Sequence, residues 1–159
     1  MPVPVIRPFK IKRYLNSLLL TGLIATGFKQ AEDAPLVISW ANRALNECYD
    51  PTADAKLKKW EISVNDALFV RLRKTYTNGK QEYYSLQLKR LSDITYLGTS
   101  EKGILALTTT ADDIIMQTYN DRKGDVDMMV NSLEVPVRNM EPARLDSIRN
   151  ALFLLRDGK

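Results

Sequence analysis

The chain has 159 residues and a mass of 18.1 kDa, enough for one domain with a sizeable core and no need of a metal or disulfide staple. It is 45% hydrophobic and 26% charged, a composition that excludes disorder, collagen and coiled coil. The net charge is +4, which on its own would invite a nucleic-acid or membrane partner.

The location of that charge decides the matter. Arg7, Lys10, Lys12, Arg13 and Lys29 are the charged residues of positions 1–29, which contain no acid. The rest of the chain holds the other 18 of the 23 bases and all 19 acids. A near-neutral body lacks the concentrated positive surface that phosphate contacts require, so no nucleic-acid partner is expected.

Absent residues narrow the chemistry further. Without any histidine, the usual general base and the commonest metal ligand are missing. The single cysteine, Cys48, excludes intrachain disulfides, thiolate zinc sites and a Cys–His nucleophile pair. A Ser–His–Asp triad is impossible. No catalytic residue, metal or cofactor is expected, and an enzyme would have to work through carboxylates or Tyr.

In chain order, the basic stretch is followed by Tyr14–Phe28, fifteen residues without a charge and too short to span a membrane comfortably. Basic region, apolar run and the small residues Ala25-Thr26-Gly27 resemble a secretory signal peptide over residues 1–27. Cleavage there implies a bacterial protein exported to the periplasm or beyond. Two other readings stay open: a retained anchor on an anionic lipid surface through residues 1–28, and a buried N-terminal helix.

Residues 28–57 read as an amphipathic helix and a linker. The helix covers Asp33–Cys48, with Asp33 as cap and Pro35 in the first turn. Leu36, Val37, Trp40, Ala41, Ala44, Leu45 and Cys48 form its apolar stripe, leaving Asn42, Arg43, Asn46 and Glu47 outside. Cys48 and both tryptophans, Trp40 and Trp60, are expected in the core. Asp50–Asp54 is the linker.

Over 58–159 the apolar period falls to two. Seven strands are expected: Lys59–Val64, Leu68–Lys74, Glu82–Lys89, Asp93–Gly98, Ile104–Thr109, Ile114–Tyr119 and Leu133–Arg138. Asn78-Gly79 provides a hairpin turn, Met128–Asn131 is ambiguous, and Pro136 marks an edge strand. A final helix opens near Asn139 or Glu141, buries Leu145, Ile148, Leu152 and Leu155, and stops at Gly158. The fold class is α+β, a bent antiparallel sheet or barrel capped by the C-terminal helix.

Short strands followed by one apolar-faced helix resemble the pleckstrin-homology-like superfold over residues 58–158. The resemblance implies a non-enzymatic module that binds a phosphoinositide head group, a peptide or another protein domain. Lys59 and Arg71-Leu72-Arg73 loosely match the basic pattern of phosphoinositide-binding members, which makes Lys59, Arg71 and Arg73 candidate ligand-binding residues. In the alternative, both arginines belong to a solvated strand face and pair with Glu61 or Glu82. The loop 120–127 has three carboxylates around Gly124, but Arg122 and Lys123 would repel a cation, so a solvated turn is expected. Asp112-Asp113 lies at another turn, where both carboxylates are expected to be exposed and ionised. The expected partner is another protein, met through an exposed strand edge or the Asp33–Cys48 helix.

Overall fold

The computed structural model describes residues 29–158, so the signal-peptide-like segment lies outside the described residues. Helix α1 spans Lys29–Cys48 and helix α2 spans Pro142–Asp157. Between them run eight strands, β1 Leu57–Val64, β2 Phe69–Tyr76, β3 Gln81–Gln87, β4 Leu91–Gly98, β5 Lys102–Thr109, β6 Ile114–Tyr119, β7 Asp127–Val130 and β8 Ser132–Arg138. The architecture is α+β with two antiparallel sheets, ordered β1-β2-β3-β6-β7 and β4-β5-β8. Among the described residues, no helix is long and apolar enough to cross a membrane.

Two expectations are corrected here. The strands number eight rather than seven, because the ambiguous Met128–Asn131 region contains β7, which pairs with β6 from Ile114↔Val130 to Gln117↔Asp127. The strands also form two separate sheets rather than a closed barrel. The β4–β5 hairpin leaves the first sheet after β3 and recruits β8, while β6 returns to pair with β3.

Alternation along each strand creates the core. Val64, Val70, Leu86 and Ile114 lie in one cross-strand row, and Ile62, Leu72, Tyr84, Met116 and Met128 lie in the next, all on the inner face. Leu105, Leu107, Leu133, Val135 and Val137 supply the second sheet's share. Helix α2 adds Ile148, Leu152 and Leu155, as its spacing predicted, and Gly158 ends it at φ +64° with an N–H to the Leu154 carbonyl.

Helix α1 begins before Asp33, so Asp33 is not its cap and Pro35 lies inside it. The missing Pro35 N–H leaves the carbonyl four residues earlier without its helical donor. Ala41, Ala44, Leu45 and Cys48 are buried as expected, but Leu36 is 69% exposed and Trp40 38%. The fully buried residues of α1 all lie in its second half, while Ala34, Val37 and Ile38 pack against the core only in part. Trp60 does meet the core and stacks on Tyr49, with ring centroids 4.2 Å apart.

Of the residues expected to face solvent on α1, Arg43, Asn46 and Glu47 are exposed and Asn42 is half-buried, and the two asparagines also have a structural task. The Asn42 amide accepts from the Val64 N–H at 2.6 Å and donates to the Val64 carbonyl at 2.9 Å. Asn46 donates to the Ile62 carbonyl at 2.9 Å. Strand β1 is an edge of the five-stranded sheet, and unpaired edge groups invite intermolecular pairing. Two asparagines one helical turn apart occupy three of those groups, the Val64 N–H and carbonyl and the Ile62 carbonyl.

Pro136 sits on edge strand β8, as expected. Its carbonyl accepts the Asp50 N–H at 2.9 Å, on the side away from β5. A strand residue's N–H points the same way as its carbonyl, so the proline removes no bond of the β5–β8 ladder.

Candidate functional site

A cleft of about 380 Å³ opens where the two sheets part. Lys74, Tyr84, Met116, Met128 and Val130 line it from the inner face of the five-stranded sheet, opposite Ile104, Ser132, Glu134 and Pro136 of the smaller one. Ala53 and Asp54, from the linker after α1, complete the wall. The size is within the range of ligand sites, and the lining is polar and apolar in about equal parts.

Alternation explains how a lysine comes to be there. Lys74 continues the Val70, Leu72 series on β2 and is 8% exposed. A buried ammonium needs a partner, and Asp54 Oδ2 lies 2.7 Å from its Nζ. The same row holds Trp60, Lys74, Glu82 and Thr118 in register. Glu82 accepts from the Tyr76 hydroxyl at 3.0 Å and pairs with Lys80 at 3.0 Å, and Lys80 also meets Asp121 at 3.0 Å. One end of the inner face is therefore a charged network, while the other is aliphatic.

Within this network acidic protons are held tightly. Burial, then nearby Asp54, pushes the Tyr49 phenol well above its ordinary value, and its hydroxyl has no hydrogen-bond partner among the described residues. Burial and the hydrogen bond to Glu82 do the same to Tyr76. Tyr84 is raised by burial and then by Glu82, with smaller contributions from Asp54 and Glu134. Asp50 is shifted the other way, since the Thr52 hydroxyl donates to its carboxylate at 2.6 Å.

Cys48 is fully buried, donates to the Leu45 carbonyl at 3.4 Å, and burial pushes its thiol up to about 11. It is a core residue, as its place on the helix stripe predicted. These raised values carry a sign. From pH 9 upward the unfolded chain releases the Cys48 proton, and from pH 10 those of Tyr49 and Tyr76, while the folded chain retains them. Stability is expected to be flat through neutral pH and to fall progressively above pH 9. Urea midpoints taken at pH 7, 9 and 10.5 check this, and a midpoint rising over that range contradicts it.

The basic residues singled out from the sequence lie elsewhere. Lys59, Arg71 and Arg73 share the outer face of the five-stranded sheet, opposite Thr75, Ser63 and Glu61 respectively. The fold does bring the three together on one surface, away from the cleft. Arg71 rests 5.8 Å from the Phe69 ring centre and Arg73 5.7 Å from that of Tyr83. Glu61 is the cross-strand neighbour of Arg73, whereas Glu82 points inward. Neither arginine has an ion pair among the described residues.

The loop after β6 is a hydrogen-bonded turn. Asp121 accepts from the Lys123 N–H at 3.0 Å and its own N–H donates to Asp125 at 2.9 Å. Among the described residues, no three His, Cys, Asp or Glu side chains are grouped to hold a metal. Sequence reasoning overlooked Lys74, Asp54 and Glu134. The inward parity of Lys74 after Val70 and Leu72 was the one available signal.

Strand β7 forms the rim of the cleft. The Thr118 N–H donates to the Val126 carbonyl at 2.8 Å, which fixes the alternation along the pair, and the Val126 N–H donates to the Thr118 hydroxyl at 2.8 Å. The backbones of Met128 and Val130 face β6, and those of Asp127 and Met129 face outward. No hydrogen bond to these outward groups occurs among the described residues. Met128 and Met129 are each nearly half exposed.

No protein-family model, curated protein or solved structure matches this chain.

Proposed function

We propose that this protein is a non-enzymatic interaction module, exported from a bacterial cell, that captures an extended segment of another protein on the free edge of β7. The observation that carries the reading is the outward, unpaired backbone groups of Asp127 and Met129 beside a cleft lined by the adaptable Met116 and Met128. Strand addition obtains affinity from main-chain hydrogen bonds and specificity from pockets for alternate side chains. Methionine suits such a rim because its flexible thioether fits varied surfaces. Of the other edges, α1 covers part of β1 and the Tyr49–Asp50 segment joins β8, while β4 is free among the described residues but lines no part of the cleft. Strands followed by one closing helix also support a distant relation to the pleckstrin-homology-like superfold, whose members mostly bind rather than catalyse.

A photo-reactive benzoylphenylalanine in place of Met129 is expected to cross-link one defined partner in the native host. The same group in place of Thr95, on edge strand β4, is expected not to. Equal capture at both positions, or none at 129, overturns the reading. Export is tested separately by the mass of the intact protein, with an N-terminus expected near Phe28. A chain starting at residue 1 or 2 favours instead a module held on anionic lipid by its basic first segment.

A further inference from the structure

A strand added outside β7 places every second side chain on the inner face, beside Met128 and Val130 and over the cleft. What the cleft accepts is set by its charge and its walls. Three charged residues line it, Asp54, Lys74 and Glu134. Asp54 and Lys74 neutralise each other at 2.7 Å. Glu134 is exposed and has no ion-pair partner among the described residues, so the cleft carries one uncompensated negative charge. Below it, Lys80 is shared between two further carboxylates, Glu82 and Asp121, which adds no positive excess.

Ile104, Met116, Met128, Val130 and Pro136 give the walls an aliphatic and thioether stretch, with Tyr84 and Ser132 beside it. A negative group above an apolar slot matches a side chain with a long apolar stem and a cationic tip. We infer that the cleft is a specificity pocket for a lysine or arginine side chain of the captured segment, with Glu134 as its counter-charge. The inference rests on the β7-edge reading and adds the chemical class of the anchoring residue. Glu134 stands opposite Ala106 on its own sheet, so no neighbour across the strand competes for the incoming cation.

Phage display of random nonapeptides on the intact protein tests this. Selected sequences are expected to alternate apolar and polar residues and to share one Lys or Arg at a fixed position. Fluorescence polarisation of a selected peptide should show at least tenfold weaker binding to Glu134→Gln, a surface change that leaves the core untouched. Replacing the shared basic residue by norleucine should weaken binding to the wild type equally, and should cost little further in the variant. Selected peptides without a shared basic residue, or equal affinity for Glu134→Gln, overturn the pocket assignment. An alternately N-methylated copy of the peptide separates the two readings, because it removes strand addition without altering the protein. If it binds as well as the parent, the edge reading fails. If it fails to bind while Glu134→Gln binds normally, the edge reading stands and the basic pocket does not.

Discussion

Asp54→Ala is expected to destabilise the protein by about 2–4 kcal/mol, because it leaves the Lys74 ammonium buried without its counter-charge. Lys74 is nearly enclosed, with 9% of its side chain exposed, whereas Asp54 retains 28%. That asymmetry makes the lysine the costly partner to strand. Glu82, the cross-strand neighbour of Lys74, offers no ready replacement, since it already holds Tyr76 and Lys80. Combining Asp54→Ala with Lys74→Met removes both charges and keeps the apolar stem, and is expected to recover most of the loss. Urea unfolding of the wild type, both single variants and the double variant closes the cycle. Additive single losses would show that the pair is not coupled.

Asn42→Ala is expected to cost about 2–3 kcal/mol, as it strips partners from both backbone groups of Val64, a residue only 2% exposed. Asn42→Asp keeps the acceptor for the Val64 N–H but turns a carboxylate toward the Val64 carbonyl, so only partial retention is expected. The second consequence is intermolecular. With the Val64 groups of the β1 edge left bare, concentrated Asn42→Ala protein is expected to self-associate more than wild type. Chemical denaturation gives the first result and light scattering after size exclusion the second. A variant as stable and as monodisperse as wild type would show that the amide does not seal the edge.

The sequence conveyed local structure better than assembly. Six of the eight strands follow from alternation around Ile62, Val70, Leu86, Ile94, Leu105 and Ile114, and Pro136 announces the edge strand β8 correctly. Strand β7 escaped because it has four residues, pairs on one side only, and leaves both its methionines half in solvent. The sheet division was also illegible, since pairing β3 with β6 and β5 with β8 is decided by distant side chains rather than local pattern. The Asn78-Gly79 hairpin was legible in place but not in detail. Only Gly79 takes a positive φ, because a longer loop, Thr77–Lys80, lets Asn78 keep ordinary geometry.

The candidate site was the least readable part. Lys59, Arg71 and Arg73 stand out by charge, and the fold does gather them on one face, yet the cleft lies on the other side of that sheet. Its polar residues come from a linker, from β2 and from β8. No spacing in the chain connects Asp54, Lys74 and Glu134. Asn42 and Asn46 show the same limit, for polarity on a helix does not distinguish water from the bare edge of a strand.

The interleaving of the two sheets also governs how the chain acquires its structure. The hairpins β1–β2, β2–β3 and β4–β5 close over short loops and can form early. The pairing of β3 with β6 must wait until residues 88–113 are looped out, and β8 can join β5 only after β6 and β7 have left. Each sheet is thus finished by a strand lying beyond part of the other. Neither can be completed as an independent unit, so the last closures commit both sheets together and make folding slow but cooperative.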